Sequence, residues 1–205
     1  MTSRAEAGRL GAVVLTGGTA SRLGGRDKAA LEVGGVTLLE RALDAVRIAD
    51  DTVVVGAPVP TSRPVTWTRE DPPSGGPGAG LLAGLDALTG TPQLVVVLAV
   101  DMPRVTSMTV DRLLGTLLDA LSGASWDGVV LVDRTGRRQT LAAVYRVGAL
   151  LAARPADRSS EPGLPVRRLV AGLRLLDVPE VGDESHDVDT PDDLEAVRGP
   201  DFPIG

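Results

Sequence analysis

The segment from Ala12 to Lys28 places the tightest limits on how this chain can fold. Ala12, Val13, Val14 and Leu15 are apolar without alternation, and they run directly into Thr16-Gly17-Gly18, with Arg22, Gly24, Gly25 and Lys28 close behind. A strand that is apolar on both faces belongs inside a parallel sheet covered by helices. Ligands of such sheets bind beyond the carboxyl ends of the strands, where this glycine-rich loop would lie. Gly17, Gly18, Gly24 and Gly25 let the backbone turn its N–H groups toward an anion, and Arg22 and Lys28 add full charges, so the residues read as a phosphate-holding loop. The loop is neither a P-loop, since Lys28 stands between Asp27 and Ala29, nor a G-x-G-x-x-G dinucleotide loop.

Further along, segments with strand and helix periodicity alternate. Val36 to Val46 has helical spacing, Thr52 to Val55 is a short β-branched run, and Val65 to Thr68 is extended. A second glycine-rich stretch, residues 72–80, reads as a flexible loop feeding a helix that carries Leu81, Leu82, Leu85 and Leu88. Leu94 to Val100 is wholly apolar and ends at Asp101-Met102-Pro103. A helix over 105–118, strands over 128–132 and 141–145, helices over 148–154 and 166–172 and a strand over 173–178 follow, with 155–165 read as a mobile loop near a substrate. The expected architecture is a three-layer α/β/α arrangement around a mainly parallel sheet, with one domain over 1–198 and a loose tail over 199–205.

Composition limits the chemistry. With 205 residues, 43% of them hydrophobic, the chain can bury one sizeable core, but two Trp, one Tyr and one Phe leave that core to Val, Leu and Ala. The absence of Cys excludes disulfides, thiolate metal sites and a cysteine nucleophile. A net charge of −6 argues against a nucleic-acid surface, and the short cationic group Arg167, Arg168 and Arg174 reads as a solvated helix face. No apolar run approaches the length of a bilayer span, so no membrane partner is expected and the expected location is cytoplasmic.

Two acidic groups stand out. Asp101 closes the most strand-like segment; a hard cation such as Mg²⁺ takes one or two carboxylates plus phosphate oxygens, while an Asp that merely turns the chain is the plainer reading. In Asp187-Val188-Asp189-Thr190-Pro191-Asp192-Asp193, helix capping accounts for Thr190, Pro191, Asp192 and Asp193 and leaves Asp187 and Asp189 unexplained. The lone histidine, His186, is assigned no role.

The opening pattern, L-T-G-G-x-x-x-R-L-G-G-x-D-K over residues 15–28, resembles the signature of the molybdenum cofactor guanylyltransferases, within the wider NTP transferases of Rossmann-like fold. Asp101-Met-Pro resembles the family's D-x-P motif, which implies that Asp101 holds Mg²⁺ on the nucleotide phosphates. The resemblance also implies that Leu15, Thr16 and Gly17 read a guanine base and that Asp71, before the second glycine stretch, contacts the nucleotide. Arg137 to Tyr145 is similar to the family's R-x-x-P-L-x-A-x-Y segment, with Thr140 in place of Pro, which implies acceptor binding by Arg138 and Gln139. The closing segment is similar to N-x-N-T-P-x-D-L, but Asp187 and Asp189 replace Asn; Asp at both places is closer to the cytidylyltransferase and sugar-nucleotide branches, where it implies a second metal or the acceptor.

The activity implied is attack of an acceptor phosphate on the α-phosphate of an NTP with release of pyrophosphate, a reaction that needs positioning and charge neutralisation more than a general base. Arg22, Lys28 and Asp101 are the catalytic candidates. GTP, a molybdopterin-type phosphate acceptor, Mg²⁺, and molybdoenzymes or cofactor-biosynthesis proteins are the implied partners. CTP-dependent transfer to the same pterin, transfer to another small phosphate, and nucleotide binding without turnover stand as alternatives.

Overall fold

The computed structural model describes residues 8–17, 28–120 and 125–197. Gly18 and Arg22, and the tail 199–205, lie outside the described residues. Nine strands and six helices are described: β1 (Leu10–Leu15), β2 (Glu32–Val33), β3 (Val36–Thr37), α1 (Leu38–Ala45), β4 (Asp51–Val55), β5 (Thr66–Thr68), α2 (Gly76–Ala87), β6 (Leu94–Ala99), α3 (Ser107–Ala120), β7 (Gly128–Val132), β8 (Arg138–Arg146), α4 (Val147–Ala152), α5 (Val166–Leu169), β9 (Leu175–Pro179) and α6 (Pro191–Ala196).

Seven strands form one sheet in the order β5-β4-β1-β6-β8-β7-β9, and β2 and β3 make a separate hairpin. β1 pairs in parallel with β4 and β6, β4 with β5, and β7 with β9; β8 alone runs against its neighbours β6 and β7. Every residue of β1 and β6 is buried, as the unbroken apolar runs require of central strands. Because successive side chains point to opposite faces, Ala12, Val14, Val96 and Leu98 pack under α1 and α3, while Val13, Leu15, Val95 and Val97 pack under α2, α4 and α5. These are the three layers expected.

Three local expectations are corrected. The helix read from Val36 begins at Leu38: Val36 and Thr37 pair with β2 across Gly34-Gly35, both at positive φ, and the Thr37 hydroxyl accepts from Glu40 N to cap α1. The second glycine stretch is largely helix, since α2 starts at Gly76 with Pro77 in its first turn. Its glycines allow close approach to the sheet: a Cβ on Gly84 would meet Val13 Cγ1 at 2.5 Å, and one on Gly80 would meet Leu15 Cδ2 at 3.0 Å. The loop over 155–165 is pinned to α2, because Gly163 N donates to Gly75 O at 2.6 Å, Gly78 N donates to Leu164 O at 3.0 Å, and Arg154 holds both Asp86 and Glu161.

Candidate functional site

Three sequence-distant residues meet at the carboxyl edge of the sheet. Lys28 opens the 3₁₀ turn Lys28–Ala30, which Ala29 anchors by complete burial, and its own side chain is only 9% exposed. Asp101 follows β6 after one intervening residue, where Val100 N donates to Leu15 O and ties the strand end to β1. Asp189 precedes α6, whose capping box orients it: Asp193 accepts from the backbone N–H groups of Asp189 and Thr190, and Thr190 caps Asp193 N. Lys28 Nζ donates to Asp101 Oδ2 at 2.9 Å and to Asp189 Oδ1 at 2.6 Å. The segment carrying Asp189 is further joined to Asp101 by Val188 N donating to Asp101 O at 2.8 Å.

Burial pushes the Lys28 ammonium down, but hydrogen bonds to Asp189 and Asp101 and their charges outweigh it, so its pKa is raised. Two carboxylates against one ammonium leave this cluster at −1. Both carboxylates lie within hydrogen-bond distance of one nitrogen, so two separate segments already converge on a single cation. That donor set fits Mg²⁺, which is commonly held by one or two carboxylates together with substrate phosphates. Among the described residues no group of three or more His, Cys, Asp or Glu could hold a metal, so the remaining ligands would come from substrate and water.

Other expected positions are arranged differently. Thr16 was expected to read a base, but its hydroxyl donates to Val55 O at 2.9 Å, and its backbone N–H reaches the same carbonyl. Leu15 is buried in the sheet with its carbonyl engaged by Val100, which leaves exposed Gly17, around which a Cβ would meet nothing within 4 Å, as the open position of the three. Asp71 is exposed beyond β5 and lines an open cleft of about 330 Å³ with Ala83, Asp86 and Arg154, beside α2 and apart from the Lys28 cluster. Arg138 and Gln139 do reach the carboxyl edge, because β8 runs backwards, but Arg138 is paired to Asp177 at 2.6 Å and Gln139 donates to Asp133 at 3.0 Å. Asp187 is exposed.

Sequence reasoning missed Gly56, where a Cβ would collide with the Thr16 hydroxyl, and buried Glu184, which is held by Thr109 and Arg112. A Gly directly after the β-branched run 52–55 was a readable signal for the first. Nothing local marked the second, whose side-chain partners lie more than 70 residues away.

Sheet order and layers define a Rossmann-like α/β/α protein, with a charged cluster at the carboxyl edge of the strands as its candidate site. The chain belongs to the family of MobA-like NTP transferase domains, which it matches over residues 12–176. It is 32% identical over 187 residues to a probable molybdenum cofactor guanylyltransferase of Opitutus terrae, covering 86% of this chain and 88% of that one. It is 30% identical over 196 residues to a phosphoenolpyruvate guanylyltransferase of Streptomyces scabiei, covering 79% and 83%. Identity to a molybdenum cofactor guanylyltransferase of Rhodopseudomonas palustris reaches 42%, but over 80 residues, 37% of this chain and only 38% of that relative's length. In fold, the chain is similar to molybdopterin-guanine dinucleotide biosynthesis protein A from Archaeoglobus fulgidus (TM-score 0.67, 21% identity, 92% of this chain and 96% of that one). It is also similar to Rv0371c from Mycobacterium tuberculosis (TM-score 0.71, 20% identity, 94% and 98%), a protein whose structure is also known in complex with manganese.

Proposed function

We propose that this nucleotidyltransferase moves GMP from GTP to the phosphate of molybdenum-bearing molybdopterin and releases pyrophosphate. The observation that carries the reading is the convergence of Lys28, Asp101 and Asp189 at the end of the strand–glycine-loop unit. In this reaction an acceptor phosphate oxygen bonds to the α-phosphorus of GTP, and the bond from that phosphorus to the β-phosphate oxygen breaks, its electron pair leaving with pyrophosphate. The acceptor is already ionised at neutral pH, so no general base is required and charge neutralisation carries the catalysis.

In the proposed assignment, Gly17 and Gly18 offer backbone groups to the nucleotide, and Thr16 contributes its carbonyl while its hydroxyl holds Val55. Lys28 exchanges its carboxylate partners for phosphate oxygens, and Arg22 adds a second cation. Asp101 and Asp189 would hold Mg²⁺, which would supply positive charge to neutralise the charge developing on the phosphates. Asp71 serves the nucleotide from the cleft beside α2. Arg138 and Gln139, joined by exposed Asp187, serve the acceptor side, the first two by trading one internal carboxylate each for acceptor phosphate. The guanylyltransferase relatives support GTP. A second reading, guanylyl transfer to a smaller phosphate such as phosphoenolpyruvate, is favoured by the Streptomyces relative, which covers most of the chain.

The test is thermal stabilisation by GTP, CTP, ATP and UTP with and without Mg²⁺, followed by pyrophosphate release with molybdopterin or phosphoenolpyruvate as acceptor. A ligand at a hundredfold excess over its Kd stabilises the native state by about 2.7 kcal/mol. A Mg²⁺-dependent shift confined to GTP is expected, with release driven by the pterin. A CTP-selective shift transfers the proposal to cytidylyl chemistry, and the absence of any shift at saturation overturns it.

A further inference from the structure

The Lys28 cluster depends on Asp189, yet the segment that carries Asp189 has no regular structure between β9 and α6. One buried carboxylate in it, Glu184, ties it to α3. Glu184 accepts from Thr109 Oγ1 at 2.5 Å and from both terminal nitrogens of Arg112, and it also receives Val181 N at 2.8 Å, which closes its own loop. Thr109 is completely buried, and its hydroxyl in turn accepts from Thr106 N at 3.1 Å, extending the chain of hydrogen bonds into the start of α3. That helix begins six residues after Asp101. Other ties run in parallel: fully buried Val188 donates its N–H to Asp101 O at 2.8 Å, Arg104 pairs with Asp183 at 3.9 Å, and at the start of the segment Arg134 pairs with Glu180 at 3.7 Å and with Asp183.

The geometry points to Glu184 as a positioning residue for the proposed metal site: it docks the 180–189 segment onto α3, the same element that follows Asp101, and so, together with the Val188–Asp101 hydrogen bond, sets the spacing between the Asp101 and Asp189 carboxylates. The inference rests on the reading of those two residues as metal-holding. Glu184 touches neither carboxylate and acts only through the backbone between residues 184 and 189. The physical reason for a charged anchor is directional. A hydrophobic plug would hold the segment against α3 at any of several small displacements, whereas a bidentate Arg with a buried hydroxyl admits one arrangement. Partners hydrogen-bonded to metal ligands change metal affinity by about 10- to 100-fold when altered, and an anchor acting one step further out belongs at the low end of that range.

The test uses the full chain with Mn²⁺ as the probe, its affinity measured by electron paramagnetic resonance at saturating GTP, with melting temperature followed in parallel. Glu184→Gln, which preserves shape and removes the charge, is expected to weaken Mn²⁺ binding about tenfold. In an Asp189→Ala background, where the ligand it positions is gone, the same change is expected to have less than about a twofold effect, since residues acting through one another are not additive. Equal losses in both backgrounds, or no loss in the first, overturn the inference while leaving the metal site itself intact. Failure of the unaltered protein to bind Mn²⁺ with GTP overturns the metal reading and this inference together. If Glu184→Gln does not fold, Thr109→Val, which leaves the Arg112 pair in place, carries the same test with an expected loss of about threefold; equal losses with and without Asp189 overturn the inference there too.

Discussion

At the carboxyl edge of the sheet, the parallel half and the reversed strand present their polar side chains in opposite ways. Beyond β1 and β6, Lys28 is bonded to carboxylates 73 and 161 residues away, in an assembly that exists only when the sheet is complete and that retains an excess negative charge. On β8, Arg138 and Gln139 are bonded to Asp177 and Asp133, on the next strand but one and in the adjoining turn. The first arrangement can exchange a carboxylate for a phosphate without loosening the fold, because Ala29 and the β1–β6 pairing hold Lys28 and Asp101 in place. The second must open a strand-to-strand link to meet a ligand. Under the proposed assignment, the nucleotide side is preorganised and the acceptor side would have to rearrange on binding.

If that contrast holds, the largest losses come from the preorganised side. Lys28→Ala is expected to lower kcat by about 100-fold or more, the scale of removing a donor aimed at developing charge, with the melting profile retained; a variant with near-normal turnover would remove Lys28 from the chemistry. Asp101→Ala is expected to abolish the stimulation of turnover by Mg²⁺, measured as rate against metal concentration. Arg138→Ala, on the rearranging side, is expected to raise the acceptor KM about tenfold, the loss of one charge-assisted hydrogen bond, with kcat little changed. A drop in kcat as large as that of Lys28→Ala would make the two sides equivalent and break the comparison.

The same contrast explains what could be read in the sequence. β1 and β6 were legible because burial on both faces leaves an unbroken apolar run, and the ends of those runs pointed to Gly17, Lys28 and Asp101. The β2–β3 hairpin was not, because Val36 and Thr37 suit a helical pattern with Leu38 and Leu39 as well as a strand, and only the positive φ of Gly34 and Gly35 decides between them. The glycines of α2 read as loop because their purpose, contact with Val13 and Leu15, is tertiary. Asp189 was marked as unexplained by capping, but its meeting with Lys28 depends on the Val188–Asp101 hydrogen bond and the Glu184 anchor, which no local pattern records.

A smaller effect tests what holds the acceptor side. Between Val130 and Leu131 the β7–β8 register shifts, and the extra residues of β8 fall at Thr140 to Ala142. Such a bulge re-aims the residues beside it. Tyr145, fully buried, donates its hydroxyl to Thr140 O at 2.9 Å across that bulge, and burial pushes its pKa up, so it stays neutral. Tyr145→Phe removes only the hydroxyl and leaves Thr140 O without it, at an expected cost of about 1–2 kcal/mol in denaturant unfolding. An acceptor KM raised without change in the GTP KM would tie the bulge to the acceptor side; an unchanged acceptor KM would make it a purely structural feature.

The smallest effect is expected away from the edge altogether. Arg154 holds Asp86 at 2.7 Å and Glu161 at 2.7 Å, clamping the 154–161 segment to α2. Hydrogen bonds from Arg154 keep the Asp86 carboxyl below its ordinary value of 3.8, against an opposing push from burial. A carboxyl with a lowered folded pKa contributes stability that is fully present above its unfolded pKa and is lost as pH falls through the folded one. Asp86→Asn is therefore expected to lower the melting temperature at pH 7, with the difference from the parent narrowing below about pH 4. Asp86 is 41% exposed on its side chain, so the loss at pH 7 should stay below about 1 kcal/mol, the ceiling for solvent-screened pairs. The kcat should not change, since this pair lies apart from the Lys28 cluster, in the cleft it shares with Asp71; a fall in kcat comparable to that of the edge variants would show that α2 transmits its docking to the nucleotide through Gly80 and Leu15.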